Sequence, residues 1–194
     1  MQSTREIRWF FTENREHLAH WFRSRHQNAP AWETHTYLNT GHANLGIKLR
    51  DQRVEVKQLK GNRAKGRLAN RVWGCFENYV KWSLPLEKNG FSDTIAYQEP
   101  EGWTKVKKQR WRLWLGPENG DTLLHSSAQL SSGCQLEYAV VTINDETWYS
   151  FGLEWFGPTF PHVPEPLISD MVGNVEFNTA QSKGYAAFLS KYFT

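Results

Sequence analysis

The sequence predicts an α+β fold in which an antiparallel β-barrel carries helices on its outside. Several segments alternate charged with bulky apolar side chains, and successive side chains along a strand point to opposite faces. The composition points the same way, because 39% hydrophobic and 14% aromatic residues, with 10 Trp, need a core to cover them. Helices over the apolar faces would leave the charged faces looking at one another across a closed sheet.

The clearest alternating segment is a predicted hairpin over residues 45–57, with its turn at Asp51-Gln52. One face of the hairpin is charged: Lys48, Arg50, Glu55 and Lys57. The other face is apolar: Ile47, Leu49, Val54 and Val56. A hairpin of this kind could also lie at the surface with its charged face in water. The return of the same pattern later in the chain favours the barrel.

The N-terminal region predicts a strand, a helix and a second strand. Residues 5–11 alternate, with three side chains on one face: Glu6, Arg8 and Phe10. A helix is expected from a cap at Thr12 to about Arg25, because apolar residues recur at helical spacing: Leu18, Trp21 and Phe22. Residues 32–39 form the next expected strand, which groups three side chains on one face: Glu33, His35 and Tyr37.

The middle of the chain is interpreted as a polar loop followed by a helix. Residues 61–66 are polar and contain two glycines, which is typical of a loop. Beyond them, apolar residues recur at i, i+3, i+4, i+7 and i+8, which predicts a helix on the outside of the sheet: Val72, Cys75, Phe76, Tyr79 and Val80. Turns are expected at Lys88-Asn89-Gly90 and at residues 116–120.

The second half predicts three more strands and a terminal helix. The strand over residues 103–115 places three basic side chains on one face: Lys108, Arg110 and Arg112. Residues 135–143 carry Glu137, and residues 148–156 carry Ser150, Gly152 and Glu154 on one face. Four prolines between residues 158 and 166 indicate an extended connection, and a docked helix is expected at about residues 180–193. The 194 residues are expected to form a single domain, 1–194.

Composition argues against several classes of partner. The net charge of +3 is modest, and the basic clusters at residues 57–71 and 105–112 are a weak signal for nucleic acid, so no nucleic-acid partner is expected. No apolar run approaches the ~20 residues of a membrane helix, and the N-terminus lacks the apolar region of a signal peptide. We therefore expect a cytoplasmic protein without a membrane partner. Cys75 and Cys134 stand alone in sequence, which favours buried thiols over a zinc site or a disulfide.

The charged interior of such a barrel restricts what it can hold. Buried charges cost several kcal/mol each unless they are paired or hydrated, so the interior must alternate signs or bind a counter-ion. An excess of Lys and Arg calls for a polyanion, whereas clustered Glu calls for a hard cation such as Mg²⁺ or Mn²⁺.

The sequence resembles the CYTH, or triphosphate tunnel metalloenzyme, superfamily. The motifs that carry the resemblance occur in the family's order: Thr34 to Tyr37, Lys48-Leu49-Arg50, Glu55-Val56-Lys57, Lys108-Gln109-Arg110, Glu137, Glu154, and Ser182 to Leu189. The resemblance implies an eight-stranded antiparallel tunnel that binds a triphosphate or nucleotide.

The resemblance also implies a role for each tunnel residue. Basic side chains would bind the anion: Arg8, Lys48, Arg50, Lys57, Lys108 and Arg110. Carboxylates would bind Mg²⁺ or Mn²⁺: Glu6, Glu137 and Glu154. Three further side chains would complete the tunnel lining: Tyr37, Glu55 and Arg112.

The chain departs from the family pattern where the metal would be held. The family's first strand has Glu, Glu and Lys at alternating positions, whereas this chain has Glu6, Arg8 and Phe10. The late Glu-x-Glu is also reduced, because Gly152 stands two residues before Glu154. Metal-assisted cleavage of a phosphoanhydride needs carboxylates to hold the ion, and this set is depleted. Tunnel architecture is therefore better supported than hydrolysis.

Three functions remain open from the sequence. The chain could bind a phosphorylated or other polyanionic small molecule without turnover, with Arg8 in place of the metal's charge. It could instead be an active Mg²⁺- or Mn²⁺-dependent triphosphatase acting on inorganic triphosphate or a nucleoside triphosphate. In the third reading it is a non-catalytic interaction domain whose charges are paired internally and whose exposed tryptophans bind a partner. The sequence alone does not decide whether the chain needs a cofactor or whether it is an enzyme.

Overall fold

The computed structural model describes residues 1–86, 101–118 and 122–192, and these contain nine strands and three α-helices. The strands are β1 (Gln2–Phe11), β2 (Trp32–Leu38), β3 (Leu45–Arg50), β4 (Arg53–Leu59), β5 (Ala64–Ala69), β6 (Val72–Pro85), β7 (Trp103–Leu115), β8 (Gly133–Ile143) and β9 (Glu146–Phe156). The helices are α1 (Glu16–Arg23), α2 (Glu165–Val172) and α3 (Tyr185–Leu189), and a 3₁₀ turn covers Ser190–Tyr192.

Eight of these strands close into an antiparallel barrel, which confirms the predicted fold class. Neighbouring strands follow the order β1-β9-β8-β7-β2-β3-β4-β6, and β6 pairs back to β1 to close the ring. The ninth strand, β5, pairs with the first residues of β6 and extends the sheet beyond the ring. The hairpin turn is where the sequence predicts it, with Asp51 and Gln52 both at positive φ, as a two-residue hairpin turn requires.

The main apolar core lies outside the barrel, beneath α1 and α2. It contains the outward side chains of β1, β7, β8 and β9, with Trp9 and Phe151 stacked at a ring distance of 5.5 Å. The predicted burial is confirmed for Trp111, Leu113, Phe151, Leu153 and Leu49. It is wrong for Ile47, Val54 and Val56, which are half-buried. The reason is that α1 contacts β7 and β8 and α2 contacts β5, so these helices leave the hairpin wall uncovered.

The helix predicted around residues 72–80 is wrong, because this segment is the first part of the 14-residue strand β6. β6 pairs with β1, β4 and β5, so it is covered by neighbours along its length. Apolar side chains therefore occur on both of its faces, and such a pattern resembles helical spacing. Phe76 packs against the outer core, whereas Tyr79 faces the barrel interior.

Other elements differ from the predictions at their ends. α1 begins at Glu16 after Arg15, which provides no side-chain cap, so the expected cap at Thr12 is wrong. β5 occupies part of the expected loop at residues 61–66. α2 begins within the proline-rich connection, because Pro166 falls in its first turn, where proline is tolerated. The terminal helix is docked as expected but is shorter, and it packs into one end of the barrel rather than on its outside.

Two expected turns fall partly or wholly outside the described residues. Lys88-Asn89-Gly90 lies outside them, and of the turn at 116–120 only residues 116–118 are described. Cys134 is a buried free thiol as expected, whereas Cys75 is half-buried. Across the described ranges, no helix has the length and apolar character needed to cross a membrane.

Candidate functional site: a charged tunnel closed at one end

The barrel encloses a cavity of about 560 Å³. Every side chain that the sequence proposes for the site lines this cavity: Glu6, Arg8, Tyr37, Lys48, Arg50, Glu55, Lys57, Lys108, Arg110, Arg112, Glu137 and Glu154. The expectation that charges from separate strands converge on one cavity is therefore confirmed. Their roles toward a ligand or metal stay predictions.

Arg8 lies at the centre of the charge network. It projects inward from β1, and its side chain is only 4% exposed. Its Nε donates to Glu6 Oε1 at 2.7 Å, and its Nη1 donates to Glu137 Oε1 at 2.7 Å. Glu137 comes from β8, and Gly152 of β9 lies opposite both Arg8 and Glu137 in the strand register. The guanidinium thus bridges two buried carboxylates across three strands.

A second group of charges lies beside Arg8. Lys57 of β4 donates from Nζ to Glu6 and lies 3.4 Å from Glu154 Oε1. Lys81 of β6 donates to the same Glu154 oxygen at 2.9 Å. Glu6 and Glu154 face each other directly in the pairing of β1 with β9. Two facing carboxylates are therefore neutralised by Lys57, Lys81 and Arg8.

On the opposite wall of the tunnel, the carboxylate that pairs with the basic side chains is Glu33 of β2. Its carboxylate accepts from Arg110, and Arg112 lies 3.3 Å away. His35 Nε2 is within 3.2 Å of the same carboxylate. The hairpin adds its own pair, in which Lys48 Nζ lies 2.8 Å from Glu55. Ion pairs therefore join neighbouring strands along this part of the tunnel wall.

Lys108 differs from the other basic residues. It is 2% exposed, and among the described residues it forms no ion pair with a carboxylate. Its Nζ donates to the Tyr37 hydroxyl at 2.7 Å and lies 3.4 Å from the centre of the Tyr185 ring. Burial, followed by the charges of Lys48 and Arg110, holds the pKa of Lys108 well below its ordinary value. Lys108 is therefore a buried amine surrounded by cations and tyrosines.

The carboxylates show the opposite effect. Burial alone would raise the pKa of Glu137, but Arg8 and Arg110 outweigh it and hold this pKa at about 2. The pKa of Glu154 lies well below its ordinary value, because Lys57 and Lys81 outweigh burial. The pKa of Glu6 is also lowered, since Lys57 and Arg8 outweigh burial. All three glutamates are ionised at neutral pH.

These glutamates do not fit a divalent cation as they are arranged. Each one is already neutralised by Lys or Arg, and the Arg8 guanidinium lies between Glu6 and Glu137. A hard cation needs several oxygen ligands directed at one point. Within residues 1–86, 101–118 and 122–192, no group of three or more His, Cys, Asp or Glu side chains is arranged to hold a metal.

One end of the tunnel is closed by aromatic side chains. Phe188 of α3 stacks on Phe10 of β1 with ring centres 3.8 Å apart, and Tyr185 packs edge-on against Phe10 at 5.0 Å. Inward side chains of β7 and β8 complete this floor, including Val106 and Val141, which are fully buried. Phe10, which stands where the family pattern has lysine, is therefore part of an apolar plug.

Several tunnel residues were not proposed from the sequence. Lys81, Tyr79 and Tyr185 line the cavity, and Glu33 pairs with its arginines. Glu77 is 1% exposed and accepts from Arg63 and from the Tyr79 hydroxyl. A usable signal exists in the spacing Glu77-x-Tyr79-x-Lys81, which is the same alternation that identifies the other tunnel strands. The incorrect prediction of a helix around residues 72–80 concealed this alternation.

No protein-family model and no curated protein sequence matches the chain. Similar solved structures include a candidate adenylate cyclase from Bacillus halodurans, with a TM-score of 0.48, 10% identity and 100% coverage of both chains. A conserved hypothetical protein from Pyrococcus furiosus has a TM-score of 0.40 and 12% identity over 93% of this chain and 98% of its own. A candidate adenylyl cyclase from Hippeastrum, described as having a dominant triphosphatase activity, has a TM-score of 0.35 and 7% identity over 79% of each chain.

The strand order and the inward charges of this chain itself define its architecture. The barrel is closed by hydrogen bonds around eight strands, and its charged side chains face inward from every wall. The chain is thus a closed, antiparallel charged tunnel, which is the architecture that the resemblance to the triphosphate tunnel superfamily implies.

Proposed function

We propose that the chain binds a small polyanion, such as tripolyphosphate or the phosphate end of a nucleotide, in the tunnel and does so without a divalent cation. The observation that carries this is the charge balance of the lining. Among the described residues that line the cavity there are four carboxylates, Glu6, Glu55, Glu137 and Glu154. They face eight basic side chains: Arg8, Lys48, Arg50, Lys57, Lys81, Lys108, Arg110 and Arg112. The basic side chains stay in excess when Glu33, which pairs with Arg110 and Arg112, is added to the carboxylates.

Free donors inside the tunnel support the same proposal. The Nε of Arg110 is buried and has no hydrogen-bond partner in the described part of the chain. Lys108 adds an amine that is held by a tyrosine hydroxyl instead of a carboxylate. Buried donors of this kind cost free energy in the empty protein and are satisfied by an anion with several oxygens.

Arg8 is the reason why the proposed binding of a polyanion needs no divalent cation. Its guanidinium neutralises Glu6 and Glu137 and supplies fixed positive charge that does not depend on an ion in solution. Guanidinium groups also recognise phosphate oxygens through paired hydrogen bonds. A phosphate chain in this tunnel would contact fixed cations.

Thermal unfolding with tripolyphosphate in the presence of EDTA tests the proposal. A ligand that binds only the folded state stabilises it by RT ln(1 + [L]/Kd), which is about 2.7 kcal/mol at a ligand concentration of 100 Kd. We expect a clear rise in Tm in EDTA, and we expect Lys57→Ala to reduce it. Lys60→Ala is the matched control, because Lys60 is exposed just beyond the end of β4.

The triphosphatase alternative is separated by adding Mg²⁺ or Mn²⁺ and measuring released phosphate. An enzyme should release phosphate, and Glu154→Gln should abolish the release. Robust metal-dependent hydrolysis by the purified chain would contradict the metal-free proposal. The lack of any thermal response to polyanions, with or without metal, would remove both tunnel functions and favour the interaction domain, whose candidate surface includes Trp32 and Trp73, each about half exposed.

A further inference from the structure

One tunnel lysine differs from the others in what surrounds its amine. The lysines that line the tunnel in the described part of the chain are Lys48, Lys57, Lys81 and Lys108. The first three each form an ion pair with a glutamate. Lys108 is 2% exposed and pairs with no carboxylate of the described residues. An ion pair favours the protonated form of a lysine, which has no free lone pair, so Lys108 is the tunnel lysine suited to react as a neutral amine.

The amine of Lys108 lies at the closed end of the tunnel. Its Nζ donates to the Tyr37 hydroxyl at 2.7 Å and lies 3.4 Å from the centre of the Tyr185 ring of α3. Val106, two residues earlier on β7, is part of the apolar floor. Lys108 nevertheless lines the cavity, so a small molecule that enters the tunnel can reach this end of it.

The surroundings of the amine favour its neutral, nucleophilic form. Burial holds the pKa of Lys108 well below its ordinary value, and the charges of Lys48 and Arg110 lower it further. Desolvation and a neighbouring cation are two means by which proteins activate a lysine as a nucleophile. An ordinary exposed lysine, with a pKa of about 10.4, is neutral at pH 7 in roughly one molecule in a few thousand. Lys108 therefore has a large advantage in reactivity over lysines at the surface.

The cations beside the amine select what can react there. Arg110 lies two residues after Lys108 on the inward face of β7, about 7 Å along the strand. The Nε of Arg110 is buried and has no hydrogen-bond partner among the described residues, and a carboxylate or phosphate group would satisfy it. A short molecule with such a group at one end could place a carbonyl group at the other end against the amine.

We propose that Lys108 forms an imine with a small aldehyde or ketone that carries a carboxylate or phosphate group. The lone pair of Nζ attacks the carbonyl carbon and forms the first C–N bond. Both protons of the neutral amine pass to the carbonyl oxygen, which leaves as water when the second C–N bond forms. No oxidant, reductant or further reactant takes part. This reaction goes beyond the proposed function, which concerns the binding of an anion alone.

Reductive trapping with sodium cyanoborohydride at pH 7 tests the proposal, because hydride converts the imine into a stable secondary amine that peptide mass mapping locates. The probes are two matched pairs: glycolaldehyde phosphate with glycolaldehyde, and succinate semialdehyde with butanal. We expect Lys108 to be modified at least about tenfold faster than Lys107, which is exposed on the outer face of the same strand. The charged member of a pair should modify Lys108 faster than its uncharged partner. The pair with the larger difference identifies phosphate or carboxylate as the preferred group.

Lys57 controls for access, because it lines the same tunnel. Burial would lower the pKa of Lys57, but Glu154 and Glu6 outweigh burial and raise it, so Lys57 should be modified slowly. The preference for Lys108 should also disappear in urea, where the tunnel is lost. Since Lys108, Lys107 and Lys57 are compared within one wild-type chain, a folding defect cannot produce the expected pattern.

Two substitutions and one ligand complete the test. Lys108→Met should remove the fast modification, whereas Lys107→Met should preserve it. Modification of Lys108 no faster than that of Lys107 in the folded wild-type chain, or equal rates within both probe pairs, would overturn the proposal. If tripolyphosphate still raises the Tm, the proposed function stands without the imine. Fast modification of Lys108 by a charged probe, without a thermal response to any polyanion, would support the imine and contradict the proposed function.

Discussion

The guanidinium of Arg8 lies directly over Gly152. A β-carbon built on Gly152 would come 2.8 Å from Arg8 Cζ and 3.0 Å from its Nε and Nη2. Arg8 and Gly152 are the two positions at which this chain lacks a glutamate of the family pattern that it resembles. The departures are physically linked, because the missing side chain at 152 is the space that the arginine occupies. Together, Arg8 and Gly152 replace two carboxylates of the family pattern with the single guanidinium group of Arg8.

Gly152→Ala should therefore destabilise the protein. The added methyl must displace Arg8 or strain β9, and overpacking of this kind costs about 1–3 kcal/mol in the free energy of unfolding. Urea denaturation measures the effect. The matched control is Gly46→Ala, because a β-carbon at Gly46 meets its nearest atom at 3.6 Å, an ordinary contact.

A double-mutant cycle tests whether the strain in Gly152→Ala arises from the contact between the added methyl group and Arg8. In an Arg8→Ala background the space over Gly152 is empty, so Gly152→Ala should cost much less than in the wild type. The expected coupling free energy is about 0.5–3 kcal/mol. Strictly additive effects of the two substitutions would show that the arginine does not depend on this space.

Glu137 should make the protein sensitive to acid. Its pKa is about 2 in the folded protein, against an ordinary value of 4.5, so the unfolded chain binds more protons between these two values. Stability from this group is complete above pH 4.5 and is lost as the pH falls toward about 2. The contribution is about 3 kcal/mol.

Glu137→Gln should remove this pH dependence. The variant is expected to be less stable than the wild type at pH 7, because Arg8 loses a charged partner. The difference should shrink as the pH is lowered toward 3, since Glu137 of the unfolded wild-type chain is then protonated and the ion pair contributes less to stability. Urea denaturation from pH 7 to pH 3 measures it, and a difference that is constant across this range would contradict the ion-pair account.

The lowered pKa of Lys108 predicts that the protein takes up a proton when an anion binds in the tunnel. Its lowered pKa means that the folded protein binds fewer protons than the unfolded chain between that pKa and 10.5, so this group makes stability rise with pH over that window. An anion beside the amine favours its charged form. The groups that set this balance are Lys48, Arg110, Arg8, Glu137, Tyr37 and Tyr185.

Calorimetry in two buffers with different ionisation enthalpies measures the uptake. Tripolyphosphate binding should take up as much as about one proton at a pH where Lys108 is neutral in the empty protein. Affinity should accordingly fall as the pH rises. Lys108→Met should reduce the uptake, whereas Lys107→Met should not, because Lys107 is exposed on the outer face of the same strand. An uptake that Lys108→Met leaves unchanged would assign the proton to another group.

The plug at the closed end should contribute strongly to stability. Phe188 is 2% exposed and stacks on Phe10, so Phe188→Ala removes a full aromatic contact and leaves a cavity. Losses for buried Phe→Ala substitutions are about 3–5 kcal/mol. Phe160→Ala is the control, because Phe160 is 43% exposed and should change little. A small effect at Phe188 would show that α3 is only loosely docked.

The sequence by itself determined which side of each tunnel strand is charged. Alternation along a strand is a local property, so Glu6 and Arg8 on β1, Lys48 and Arg50 on β3, and Glu154 on β9 could be assigned to one face without knowing the partner strands. The turn at Asp51-Gln52 is local in the same sense, since a two-residue hairpin loop needs positive φ at both positions. These features required only neighbouring residues.

Tertiary structure alone decided which charges pair and which end is closed. β6 carries apolar residues on both faces because it pairs with β1, β4 and β5, and the spacing of its apolar residues alone does not separate such a strand from a helix. The bond from Arg8 to Glu137 joins residues 129 apart in sequence, and it exists because barrel closure places β1, β9 and β8 side by side. The docking of Phe188 on Phe10 likewise brings the last described helix onto the first strand. Contacts of this separation depend on how the whole sheet closes, which no single segment of the chain encodes.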